Sequence, residues 1–113
     1  MITYWHNPRC SKSRAGLQLL QERGAEVALR LYLQEQPSLE VITALHKALG
    51  GAVIDMMRCG EKPFKALGLS KDSPEADLLA AMVQEPILLE RPIAVKQGKA
   101  VIGRPTEALE ALL

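Results

Sequence analysis

The first 33 residues constrain the fold more than any other part of the chain. Met1 to Trp5 mixes β-branched and aromatic residues and runs into Asn7-Pro8, a loop signal, which predicts a short strand entering a turn. From Ser11 the run SKSRAGLQLLQERG carries Ala15, Leu19 and Leu20 at helical spacing and closes at Gly24, predicting a helix over about Ser11–Arg23. Val27 to Leu33 is apolar and reads as a second strand. Strand, helix and strand in so short a span make a βαβ unit, for which parallel pairing through a right-handed crossover is expected. Cys10 then falls at the junction of the first strand with the helix.

The middle of the chain, about 37–85, is helical. Pro37-Ser38 opens a run with Leu39, Ile42, Leu45 and Leu49 on one face, and Gly50-Gly51 stops it. Short helical pieces follow in AVIDMMR and PFKALGL, separated by Cys59-Gly60. Ser73 is then placed to cap a helix with Pro74 at its first position, before EADLLAAMVQE ends at Pro86. Near the end, PIAVK and KAVIG are β-rich runs joined by Gln97-Gly98, a hairpin signal, and a last helix starts near Pro105 and runs through Glu107, Leu109 and Leu112. The order βαβ, helices, ββα predicts an α/β domain with a mixed sheet. At 113 residues and 48% hydrophobic composition, one domain spanning 1–113 can bury its own core.

Bulk charge excludes some functions. A formal net charge of +1, from 14 basic and 13 acidic residues, points to neither a nucleic-acid partner nor a membrane surface. No apolar stretch approaches the roughly 20 residues that cross a bilayer, and no leader pattern is visible, so the expected location is the cytoplasm. Two cysteines, Cys10 and Cys59, are expected to be free thiols there, and their spacing suggests no zinc site. Any electrostatic function must be local, and locally the charge is lopsided: Arg9, Lys12 and Arg14 all precede the first acid, Glu22.

Cys10 sits inside that cationic run. A thiol reacts as its thiolate, which a helix N-terminus and nearby cations favour. Arg14 lies one helical turn on, and His6, Arg9 and Lys12 add positive or hydrogen-bonding groups, so a nucleophile and an oxyanion site can coincide. The competing reading is a buried structural cysteine, which fits poorly between arginine and lysine at a helix start. In Cys10-x-x-Ser13 the serine stands where a resolving thiol would be, so a thiol from another molecule must finish any disulfide chemistry. Arg58, Arg91 and Arg104 lie at loop or element-terminal positions, the last two before prolines that hold their backbones extended. Their fork-shaped donors could converge on one oxyanion.

His6-Asn-Pro-Arg-Cys10-Ser-Lys-Ser-Arg14, Glu90-Arg-Pro-Ile93 and Ile102-Gly-Arg-Pro105 together resemble the glutaredoxin-linked arsenate reductase family, including its short bacterial members. The resemblance runs from the first strand to the last helix. It implies a thioredoxin-like fold with a helical insertion after the βαβ unit, no bound cofactor and no metal, with glutathione as co-substrate and glutaredoxin as protein partner. It further implies that Cys10 attacks arsenate and that Arg58, Arg91 and Arg104 bind the oxyanion. His6 and Arg14 would stabilise the thiolate, Ser13 and Pro92 would be structural neighbours of the site, and Pro92 would match a proline that is commonly cis.

Three rivals follow from the same residues. A low-molecular-weight phosphatase, or the thioredoxin-linked class of arsenate reductase, needs arginine six residues after the cysteine, where this chain has Gly16. A Spx-type regulator that binds RNA polymerase usually carries Cys-x-x-Cys, which Ser13 breaks. A glutathione-dependent thiol-disulfide reductase on the same scaffold would ignore arsenate. Cys59, where the family more often has a threonine-like residue, is either a tolerated small side chain or a resolving thiol.

Overall fold

In the computed structural model, which describes residues 1–113, strand β1 (Ile2–Trp5) lies inside a four-stranded sheet between β2 (Val27–Arg30) and β3 (Ile93–Lys96). Strand β4 (Lys99–Ile102) completes the order β2-β1-β3-β4. β1 pairs in parallel with β2, Ile2 facing Val27 and Trp5 facing Arg30. It pairs antiparallel with β3, Thr3 facing Val95, and β3 pairs antiparallel with β4. The mixed α/β sheet expected from the sequence is the sheet observed. Gln97 and Gly98 both take positive φ, 50° and 78°, as a two-residue hairpin of the primed type requires.

The chain divides into two compact units, Met1–Glu35 with Arg91–Leu113, and Gln36–Glu90. In the first, helix α1 (Ser11–Glu22) connects β1 to β2, and a 3-10 turn at Thr106–Leu112 packs on α1 and β4. Ile2, Tyr4, Leu20, Ala94, Leu109 and Leu112 form its buried core. In the second, α2 (Leu39–Leu49) packs with a helix at Glu75–Gln84, here α4, the short α3 (Lys62–Ala66) lying between them in sequence. Ser38 caps α2 by accepting from the Val41 N–H at 3.2 Å.

Several boundaries differ from the sequence-based expectation. β2 stops at Arg30 and not at Leu33, because the Leu31 carbonyl accepts from the Gln34 and Glu35 N–H groups and turns the chain. Ser73 does not cap α4; its hydroxyl accepts from the Ser70 N–H at 2.9 Å, and Pro74 is the capping residue. Ala15 and Leu39, expected on buried helix faces, are exposed. The last helix is a 3-10 turn: Leu109 and Leu112, three apart, both point inward, which suits three residues per turn. AVIDMMR likewise gives a 3-10 turn, Val53–Met56.

Candidate active site

Between β1 and α1 the chain makes a tight turn built by Asn7. The Cys10 N–H donates to the Asn7 carbonyl at 3.0 Å, and the Asn7 side-chain oxygen accepts from the Arg9 N–H at 3.1 Å. Cys10 is left as the N-cap of α1, in extended conformation and half-buried. The first-turn N–H groups of a helix have no partners within it, so an anion at the cap satisfies them. Burial pushes the Cys10 thiol up, but it is outweighed by the Ser13 N–H, the Arg91 side chain, the Lys12 N–H and the charge of Arg91. The net result is a thiol held below its ordinary range.

Below the thiol runs a buried polar chain. Ser13 is fully buried, accepts from the Asn7 N–H at 3.0 Å and shares a 2.8 Å hydrogen bond with His6 Nδ1. The Tyr4 hydroxyl donates to the Ser13 carbonyl at 2.6 Å, and its ring lies 5.7 Å from that of His6. Burial, and next the charge of Arg14, lower the His6 pKa, so the ring is neutral at neutral pH. Burial likewise holds the Tyr4 hydroxyl protonated. Ser13 thus ties the end of β1 to the first turn of α1.

The remaining expected residues separate. Arg91 reaches Cys10. Arg104 donates through Nε to the Arg91 carbonyl at 2.8 Å, which ties its side chain to the Arg91 backbone. The peptide bonds before Pro92 and Pro105 are both cis. His6 and Arg14, expected to stabilise the thiolate, hydrogen-bond within the same turn: His6 to Ser13, and Arg14 through Nη1 to the Pro8 carbonyl at 2.8 Å. Backbone amides and Arg91 lower the thiol. Arg58 belongs to the second unit, where its N–H donates to the Leu88 carbonyl at 2.7 Å. Cys59 follows it as an exposed free thiol.

Sequence reasoning missed three residues of this region. Tyr4 reads only as a strand residue. Gly16 reads as a position lacking arginine, yet a Cβ there would collide with the Tyr4 hydroxyl and stand 2.8 Å from Leu109 Cδ1 and 3.2 Å from Pro92 Cγ. A Cβ on Gly103 would meet the same Pro92 Cγ at 2.8 Å. The available signal was a glycine inside a helix, where it weakens the helix unless close packing needs it.

Comparison with known proteins agrees with this geometry. The ArsC family model matches residues 5–112. A protein of Neisseria meningitidis serogroup A named arsenate reductase is 46% identical, the match covering 99% of this chain and 97% of that one. The uncharacterized protein YfgD of Escherichia coli is 45% identical, over 94% and 91%. The solved structure of an arsenate reductase from Vibrio cholerae superposes with a TM-score of 0.94 at 40% identity, over 99% of this chain and 97% of that one. Sheet order, the cysteine at the helix cap and near end-to-end similarity lead to one assignment: this thioredoxin-like chain belongs to the ArsC family.

Proposed function

We propose that the protein is a glutathione- and glutaredoxin-dependent arsenate reductase, an oxidoreductase of the cytoplasm whose nucleophile is Cys10. The observation that carries this reading is the half-buried Cys10 sulfur, lowered in pKa by backbone N–H groups and Arg91, in a chain 46% identical to a protein named arsenate reductase. A thiolate beside a guanidinium fork suits attack on a tetrahedral oxyanion, since the donors that hold the sulfur anion also neutralise the incoming charge. Arg91 and Arg104 bind arsenate in this proposal, and Arg58 is the third arginine. Ser13, His6, Arg14 and Pro92 shape the turn that carries the thiolate. The helical block at about 37–85 is an insertion within one functional domain.

The Cys10 thiolate forms a sulfur–arsenic bond and one arsenate oxygen leaves as water, taking two protons; arsenic is still As(V). A glutathione thiolate then attacks Cys10 Sγ, the sulfur–sulfur bond forms, and the pair of the breaking sulfur–arsenic bond stays on arsenic. Arsenite, As(III), departs, two sulfurs having been oxidised together by two electrons. Glutaredoxin attacks the mixed disulfide and returns Cys10 as thiolate, the step that Ser13 in place of a second cysteine leaves to another molecule.

Purified protein with glutathione, glutaredoxin and an NADPH-recycling system is expected to consume NADPH only when arsenate is added, and Cys10→Ser to abolish this. Equal consumption without arsenate, on a model mixed disulfide, would replace the proposal with a general thiol-disulfide reductase.

A further inference from the structure

We propose that the cavity walled by Lys12, Gly103, Arg104, Pro105, Thr106 and Glu107 seats the peptide thiol co-substrate, by its charged ends, beside Cys10. This rests on the glutathione-dependent reading above and adds where, and by which groups, glutathione is recognised. The cavity is about 310 Å³, at the small end of organic-ligand sites and far larger than an inorganic oxyanion needs.

Its charges are the counterpart of the tripeptide's. Glutathione at neutral pH carries two carboxylates and one ammonium group; the cavity presents Lys12 to a carboxylate and Glu107 to the ammonium, with Arg104 shared with the arsenate site. The Thr106 hydroxyl and the Gly103 backbone add neutral hydrogen-bonding groups. Two walls also connect to the segments that hold the nucleophile. Lys12 lies two residues after Cys10 in the first turn of α1. Arg104 is tied through Nε to the carbonyl of Arg91, whose side chain reaches the sulfur. A thiol held here by its termini is delivered to the cap of α1 and not to bulk solvent, which raises its effective concentration at the Cys10 adduct.

Steady-state kinetics at saturating arsenate tests this. Glu107→Gln is expected to raise the KM for glutathione by about two- to fivefold, the effect of one exposed charge pair. The same variant leaves the KM for N-acetylglutathione, which lacks the ammonium, unchanged. Lys12→Gln is expected to raise the KM for glutathione but not for its diethyl ester. Unchanged KM for glutathione in both variants, or an equal change with the uncharged thiol β-mercaptoethanol, overturns the assignment. Binding is read separately with unreactive S-methylglutathione, which should shift the amide resonances of Gly103, Thr106 and Glu107; no shift there also overturns it. Shifts at those amides with no arsenate turnover by any thiol leave this site standing and sink the arsenate reading; turnover with no shifts does the reverse.

Discussion

Among the groups that lower the Cys10 thiol, Arg91 is the one whose contribution a substitution removes, because the others are backbone amides. Arg91→Met is therefore expected to move the pH profile of Cys10 alkylation toward alkaline pH, and each step of one pH along that axis costs about a tenfold loss of thiolate at neutral pH. Arg91→Lys, which keeps charge but not the planar fork, should fall between. An iodoacetamide rate-against-pH series settles it, and an unmoved profile would assign the effect to the helix terminus alone. His6 makes a second prediction at this scale. Its folded pKa is lowered, so the unfolded chain takes up the proton first, and stability declines as pH falls from the ordinary imidazole range through the lower folded value. His6→Gln should flatten that decline in urea midpoints. Cys10, also lowered, acts in the same sense over a more alkaline window, so Cys10→Ser is the proper background. The nucleophile was legible because cysteine among cations at a strand-to-helix junction has few other uses. The partners of His6 and Arg14 were not, because proximity in sequence does not say which way a side chain turns.

At the scale of elements, α1 shows how a helix can be legible while its buried face is not. Apolar spacing predicts its extent within one residue, but the buried positions are Ser13, Gly16 and Leu20, of which only leucine carries a hydrophobic signal. Serine is buried because it is fully hydrogen-bonded, and glycine because Tyr4, Leu109 and Pro92 leave no room. Gly16→Ala is accordingly expected to cost about 1–3 kcal/mol of stability by overpacking. Tyr4→Phe alone, which removes the bond to the Ser13 carbonyl, should cost about 1 kcal/mol. Because the alanine methyl would collide with the hydroxyl that phenylalanine lacks, Gly16→Ala should cost less in the Tyr4→Phe background. Denaturant melts of all four proteins check this cycle, and strict additivity would refute the packing account. Local turn chemistry was legible in the same way: Gln97-Gly98 and the Ser38 cap follow from residue type, whereas Ser73 had two possible partners and took the loop.

Across the whole molecule, strand order and the two-unit division were legible only in part. The βαβ and hairpin signals are local, but the pairing of β1 with β3 joins residues some ninety positions apart, such as Thr3 with Val95, which no window of sequence reports. The two cysteines divide between the units, Cys10 in the first and Cys59 in the second, both as free thiols. Cys59→Ser is expected to leave glutaredoxin-supported arsenate turnover unchanged. Mass spectrometry of the enzyme quenched during turnover should find glutathione on Cys10, and a Cys10–Cys59 disulfide would make Cys59 a resolving thiol after all.

The pairing of β1 with β3 has a consequence during synthesis. Arg91, which helps to ionise Cys10, and the strand that completes the sheet beside β1 are made some eighty residues after it. While translation continues, the nascent thiol lacks part of what makes it reactive. The nucleophile is thus made before the one side chain that helps to arm it.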